Sequence, residues 1–210
     1  MEYFSSLPYL TTTDNNGNSI VVRNLLIRTG LIPQLAKNPL LFYQYEVRDG
    51  DTPEIVANKY YGSPFRYWIT MYGNPQMLDP QSDWPVSSQQ FTLYLKDKYA
   101  ESANGSANVL SYTLGTVHHY EKIITSVDND TKTTAIKVIE VDQATYNSIQ
   151  PFTKTSTFAG GSSVTYVVSK NAVSIYDYEN QTNEAKRNIN LINAQYTTQI
   201  ETQYQSLVKS

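Results

Sequence analysis

An α+β fold is predicted for this 210-residue chain from three observations. Between residues 43 and 101, Gly and Pro punctuate patterns of first strand and then helix period. From 102 to 176, β-branched runs alternate with Ser, Thr, Asn and Gly, which is the pattern of antiparallel strands joined by long loops. The two ends, 1–42 and 177–210, are too poor in apolar residues to build cores of their own and read as extended segments that need a surface to dock on.

The N-terminal arm, 1–42, opens on Tyr3, Phe4, Pro8 and Tyr9, crosses a polar turn at 11–19, and ends in an apolar stretch that includes Leu25, Leu26 and Ile27. Tyr45-Glu46-Val47-Arg48 then alternates as a short strand. Asp49-Gly50-Asp51 marks a turn in which Gly50 is free to take positive φ. A helix starts at Thr52-Pro53, either with Thr52 as N-cap or with Asp51 and Glu54 as a capping box. Ile55, Val56, Lys59 and Tyr60 give this helix a semi-apolar face, and Gly62 ends it. Ser63-Pro64 opens a second helix whose stripe is Phe65, Trp68, Ile69 and Tyr72; Gly73 and Asn74-Pro75 stop it. After a loop with Asp79-Pro80 and Trp84-Pro85, a third helix is predicted to about Tyr99, with Phe91, Tyr94, Leu95 and Lys98 on one side.

The middle region, 102–176, carries candidate strands at 109–114, 117–125, 133–141, 164–168 and 172–176. In the C-terminal segment, 177–210, Asn188 to Asn193 alternates like a strand, yet Ile189, Ile192, Tyr196, Ile200 and Tyr204 keep helical spacing. The weak helix propensity of Asn and Thr favours a strand near 188–193 followed by a helix from about 197 to 208.

Composition narrows the function. The net charge of −3, with scattered Lys and Arg, gives no basic stripe for nucleic acid. The apolar runs are too short to span a bilayer, and no basic stretch precedes an apolar one as in a signal peptide. Without cysteine there are no disulfides, thiol nucleophiles or thiolate metal sites. The 18 tyrosines against 6 phenylalanines suit surfaces later buried against partners, or a Tyr-rich domain that packs on itself. Adjacent strand residues point to opposite faces, so His118-His119 is expected to pack rather than to share an ion. Asp49, Asp51, Glu54, Asp128 and Asp130 are explained by turns and caps. No catalytic residue, cofactor site or metal site is expected.

The string Tyr45 to Thr52, followed by Ile55-Val56-Ala57-Asn58-Lys59-Tyr60-Tyr61-Gly62, resembles the LysM module, a βααβ unit known mainly for binding N-acetylglucosamine polymers. The second half departs from it. Asn74-Pro75 is present, but Leu78-Asp79-Pro80, Trp84-Pro85 and a predicted helix follow where that module has a closing strand. The chain is accordingly expected to hold a LysM-like βαα module plus a third helix over 43–101, followed by the β-rich region and the terminal segments.

That combination is similar to the baseplate wedge protein 53 family of T-even type contractile-tailed phages. Further resemblances lie in Val22 to Arg28, in Tyr61-Gly62-Ser63-Pro64 with Tyr67-Trp68, in His118-His119-Tyr120-Glu121, and in Tyr178-Glu179, Asn183-Glu184, Lys186-Arg187 and Ile189 with Leu191-Ile192. Residues 125–175 match least. The resemblance implies a structural, non-enzymatic virion protein of the tail baseplate, assembled in the host cytoplasm. Its partners would be the core wedge subunits and adjacent wedges, in six copies or a multiple of six, with no nucleic acid, membrane or glycan. Expected partner-binding residues are Tyr3, Phe4, Leu25, Ile27, Trp84, Tyr178, Lys186, Arg187, Ile189 and Leu191. The alternative is a LysM protein that binds peptidoglycan carbohydrate.

Overall fold

The computed structural model describes residues 3–27, 29–31, 33–77, 79 and 82–209. Arg28, Leu78 and Pro80, which belong to motifs above, lie outside the described residues. In chain order the elements are β1 (Tyr9–Thr13), β2 (Ser19–Arg23), α1 (Pro33–Ala36), β3 (Phe42–Glu46), α2 (Pro53–Tyr61), α3 (Tyr67–Tyr72), α4 (Ser88–Tyr99), α5 (Val109–Gly115), β4 (Val117–Asp128), β5 (Thr134–Val141), α6 (Gln143–Ser148), β6 (Phe152–Thr157), β7 (Ser163–Ser174), α7 (Ile175–Ala185), β8 (Asn188–Ile192) and α8 (Thr197–Lys209). The fold is α+β with antiparallel sheets. The chain forms two compact units, one of residues 1–88 and 183–210, the other of residues 89–182. This differs from the four consecutive segments read from the sequence, because residues 183–210 return to the first unit.

The first unit is built around α2. Thr52 caps it by accepting from the Ile55 N–H at 3.3 Å, Pro53 holds the first helical position, and Gly62 ends it at φ +72°. Asp51 is not the cap. Its carboxylate takes the Tyr45 hydroxyl at 2.7 Å, the Arg48 N–H at 3.2 Å and Lys59 at 2.5 Å, which ties the turn to both neighbouring elements. The buried face of α2 is Pro53, Val56, Ala57 and Tyr61, while Ile55 is 41% exposed, so the expected face is rotated by about one residue. In the next helix, residues 64–66 form a 3-10 turn before α3. Its tighter winding takes Phe65 out of phase with Trp68 and Ile69, leaving Phe65 exposed while they are buried.

The closing strand expected to be missing is present, but it comes from the far end of the chain. β8 pairs antiparallel with β3, from Phe42 opposite Ile192 to Glu46 opposite Asn188, completing β3-α2-α3-β8 as a βααβ unit. The end of α3 is locked to this strand. The Asn74 side chain donates to Asn190 O at 2.9 Å and accepts from Asn190 N at 2.9 Å, acting as a short extra strand. Gly73 lies so close that a Cβ would meet Asn190 O at 2.2 Å, which is why a glycine stands there. Ile189, Leu191 and Ile192 are at most 1% exposed.

Trp84, expected in a loop as an anchor for a partner, is buried with Val47, Val56, Met77, Ile189 and Leu191, and its indole N–H donates to Asp51 O at 2.7 Å. A second cluster joins Leu7 from the N-terminal segment to Ala57, Tyr61, Trp68, Ile69 and Ile192, and to Tyr204 and Val208 of α8. The N-terminal arm therefore docks on its own chain through Leu7, with Tyr3, Ile27 and Leu31 packed beside it. Ahead of the module, β1 and β2 form a hairpin paired from Tyr9 opposite Arg23 to Thr13 opposite Ser19. Asp14 holds its turn by accepting the Asn16 and Asn18 N–H groups at 2.9 and 2.8 Å.

The second unit carries a four-stranded antiparallel sheet of order β5-β4-β7-β6. The two candidate strands at 164–168 and 172–176 are one strand, β7, up to Ser174, where α7 begins. Residues 109–114, read as a strand, are helical. Val109 and Thr113 are buried one turn apart, and the Thr113 hydroxyl bonds back to Val109 O at 2.8 Å. Glu179 anchors α7 within this unit. Its buried carboxylate accepts from Lys98 at 2.7 Å, Tyr94 at 2.9 Å and Tyr99 at 2.5 Å. Burial pushes the Glu179 carboxyl up, but these three donors outweigh it and hold it below the usual carboxylate range.

Candidate docking surface

The first unit carries an apolar groove of about 450 Å³. The N-terminal segment supplies one wall with Tyr3, Phe4, Leu25 and Ile27; α3 and its C-terminal loop supply the other with Tyr67, Trp68, Met71, Tyr72 and Met77. Four of the residues expected to bind partners, far apart in sequence, are thus brought together. The position of the groove follows from α3, which buries Trp68 and Ile69 inward and turns Tyr67 and Met71 toward the N-terminal segment.

Aromatic packing fixes this region. The Trp68 ring lies 5.0 Å from Tyr204, 5.1 Å from Tyr72 and 5.7 Å from Tyr3, and Tyr3 lies 5.1 Å from Tyr204. Arg66 holds α8 in place through a two-pronged pair with Glu201, both bonds at 3.0 Å. That pair holds the Glu201 carboxyl below its usual range. Burial pushes the Tyr72 phenol well above its ordinary range, so it is a neutral hydroxyl, in contact with Thr29. The buried Trp68 indole N–H has no hydrogen-bond partner among the described residues. Among the described lining residues none carries a charged side chain.

Around the groove the apolar surface is open. Phe4 is 55% exposed and Leu25 63%, and Leu26 beside them reaches 89%. Exposed aliphatic and aromatic side chains grouped in this way are a feature found at interaction surfaces in general. Leu26, Tyr67 and Met71 were not among the contact residues expected from the sequence. Leu26 had a signal there, because its two apolar neighbours cannot all face one core.

The other expected contact residues lie elsewhere. Trp84, Ile189 and Leu191 are covered by the chain's own core and present no surface to a partner. Lys186 donates to Ser82 O at 3.0 Å. Arg187 pairs with Glu184 at 2.7 Å, approaches Asp49 at 3.7 Å and donates to Val47 O at 3.2 Å, so its guanidinium closes the module's own β3 side. Tyr178, in the second unit, is 38% exposed and stacks on His118 with ring centres 3.8 Å apart.

Some tyrosines pack within the chain and others line the groove. Tyr61 is buried and donates to Ile192 O at 3.0 Å, and Tyr43 stacks on Tyr60 at 5.6 Å, while Tyr3 and Tyr67 face the groove. Among the described residues no cluster of three or more His, Cys, Asp or Glu is placed to hold a metal ion, and no helix is long and apolar enough to cross a membrane.

No curated protein matches the chain. A family model described as base plate wedge protein 53 matches residues 1–209. Matched over nearly its whole length, the chain belongs to the phage base plate wedge protein 53 family and is a structural component of the virion's tail base plate.

Proposed function

We propose that the chain is a non-catalytic joint of the base plate, whose apolar groove docks on core wedge subunits and whose repeated copies help join neighbouring wedges into a sixfold ring. The observation that carries this reading is the groove rimmed by Phe4 and Leu25, with Leu26 fully outside it. An apolar wall of this kind suits a peptide segment that offers aliphatic side chains.

Substituting Leu25→Asp and Leu26→Asp places charge on this rim without touching the core. Mixed with purified wedge subunits, the double variant is expected to lose incorporation into the wedge while keeping the circular dichroism of the parent. Unchanged incorporation would sink the reading. Protection of residues 3–27 from hydrogen exchange on complex formation is expected for the parent chain.

The peptidoglycan alternative can no longer be set aside for want of a closing strand, since β8 supplies one. What weighs against it is the use of the Gly-Asp-Thr turn inside the chain: the Asp51 carbonyl is taken by Trp84 and its carboxylate by Tyr45, Arg48 and Lys59. Co-sedimentation with peptidoglycan is expected to fail.

A further inference from the structure

The start of β4 departs from regular pairing. Val117 stands opposite Ser174 and His119 opposite Val173, so His118 is the extra residue of a β-bulge. A bulge breaks the alternation of side chains between the two faces. The premise that adjacent histidines must diverge therefore fails here: His118 Nδ1 and His119 Nδ1 lie 2.9 Å apart.

Both rings are held from outside. His118 lies flat on Tyr178, 3.8 Å between centres and 8° between planes. His119 stands nearly perpendicular to it at 87°, its Nε2 3.3 Å from Glu121 Oε1, and Asn171 donates to the other Glu121 oxygen at 3.3 Å. A carboxylate can only accept, so Glu121 keeps the His119 proton on Nε2 and leaves its Nδ1 lone pair facing His118. This is the arrangement in which a carboxylate orients an imidazole for metal ligation.

We propose that His118 and His119 form a two-imidazole site for a divalent transition-metal ion of tetragonal preference, Cu(II) or Ni(II). The spacing selects the geometry. With metal–nitrogen bonds of about 2.0–2.1 Å, nitrogens 2.9 Å apart subtend about 90° at the ion, whereas tetrahedral zinc needs about 3.3 Å. Water fills the remaining positions on the side where His118 is exposed. Without metal, one proton bridges the two Nδ1 atoms. When an ion binds, that proton leaves Nδ1 for His118 Nε2 or for solvent, which frees both Nδ1 lone pairs for the metal. The bound ion ties the bulge in β4 to α7 through the ring stacked on Tyr178.

The chain contains two histidines and no cysteine, so imidazole ligation has no other source. Cu(II) is added to the untagged full-length protein at neutral pH and followed by electron paramagnetic resonance and calorimetry. The expected result is one bound ion with hyperfine splitting from two imidazole nitrogens. His118→Ala and His119→Ala each weaken binding at least tenfold, and Glu121→Gln weakens it by about tenfold. A metal-dependent rise in Tm accompanies binding and is lost in both His variants. Splitting from a single imidazole, or affinity unchanged in either His variant with native circular dichroism, would overturn the proposal.

Discussion

The two units hold themselves together by different means. In the first, residues distant in sequence converge on a dry centre: Val56, Ala57, Ile69, Leu191 and Ile192 are all fully buried, and the sheet they support has only two strands. In the second, β4 and β7 pair over most of their twelve residues, yet the flanking β5 and β6 are mostly exposed, with Ile136 at 65% and Phe152 at 53%. The first unit is stabilised by burial and the second largely by backbone ladders and cross-strand contacts among β-branched residues. A core of the first kind tolerates little change, while a sheet of the second kind leaves much of its surface free to vary. Residues 125–175, expected from the sequence to match the family least, include most of this sheet.

Four measurements test that contrast. Trp84→Ala removes the largest side chain of the core around β8 and its bond to Asp51, and a loss of about 3–5 kcal/mol is expected in urea denaturation. Both tryptophans, Trp68 and Trp84, belong to the first unit, so the remaining Trp68 fluorescence follows that unit alone. Gly73→Ala drives a methyl group into Asn190 O and is expected to cost about 1–3 kcal/mol in the same experiment, with β8 hydrogen exchange accelerating first.

Acid tests each unit through one buried carboxylate. Asp51 in the first and Glu179 in the second are both held below their ordinary values, because their hydrogen-bond donors outweigh the upward push of burial. A depressed carboxyl contributes stability above its unfolded value and loses it as pH falls through the lower folded value. Glu179→Gln is therefore expected to flatten the decline in second-unit stability below pH 4.5, read by far-ultraviolet circular dichroism, and to leave the Trp68 signal unchanged. The smallest effect is expected for Ile136→Thr on the exposed face of β5, within about 0.5 kcal/mol of the parent. A loss as large as that of Trp84→Ala would mean that the sheet is covered in the free protein and would end the contrast.

What was legible in the sequence was local. Thr52-Pro53 and Gly62 mark α2 because capping and positive φ act within one turn, and the alternation of Asn188 to Asn193 reveals a strand. Its partner could not be read, since Asn188 pairs with Glu46 across the whole second unit. Trp84 was misplaced for the same reason: its neighbours Val47 and Ile189 come from both halves of that split module. Some signals were present and unread. Ser174 and Asp177 bond reciprocally at the start of α7, and Asp142 accepts the Thr145 N–H at 2.7 Å at the start of α6. The bulge at His118 leaves no such mark, because register depends on both strands. Of the candidate contact residues, the apolar ones of the N-terminal segment meet in one groove, while those near β8 serve the fold.

The placement of β8 has a consequence for synthesis. When β3, α2 and α3 leave the ribosome, the strand that covers them is still about 100 residues from being made. At about 5–20 residues per second, that edge waits on the order of ten seconds without its partner. Until Asn188 to Ile192 emerge, Asn74 has no strand to clasp and Val47 and Val56 have no lid. A chain cut short within the second unit never completes the first. Only a chain translated through β8 closes its module.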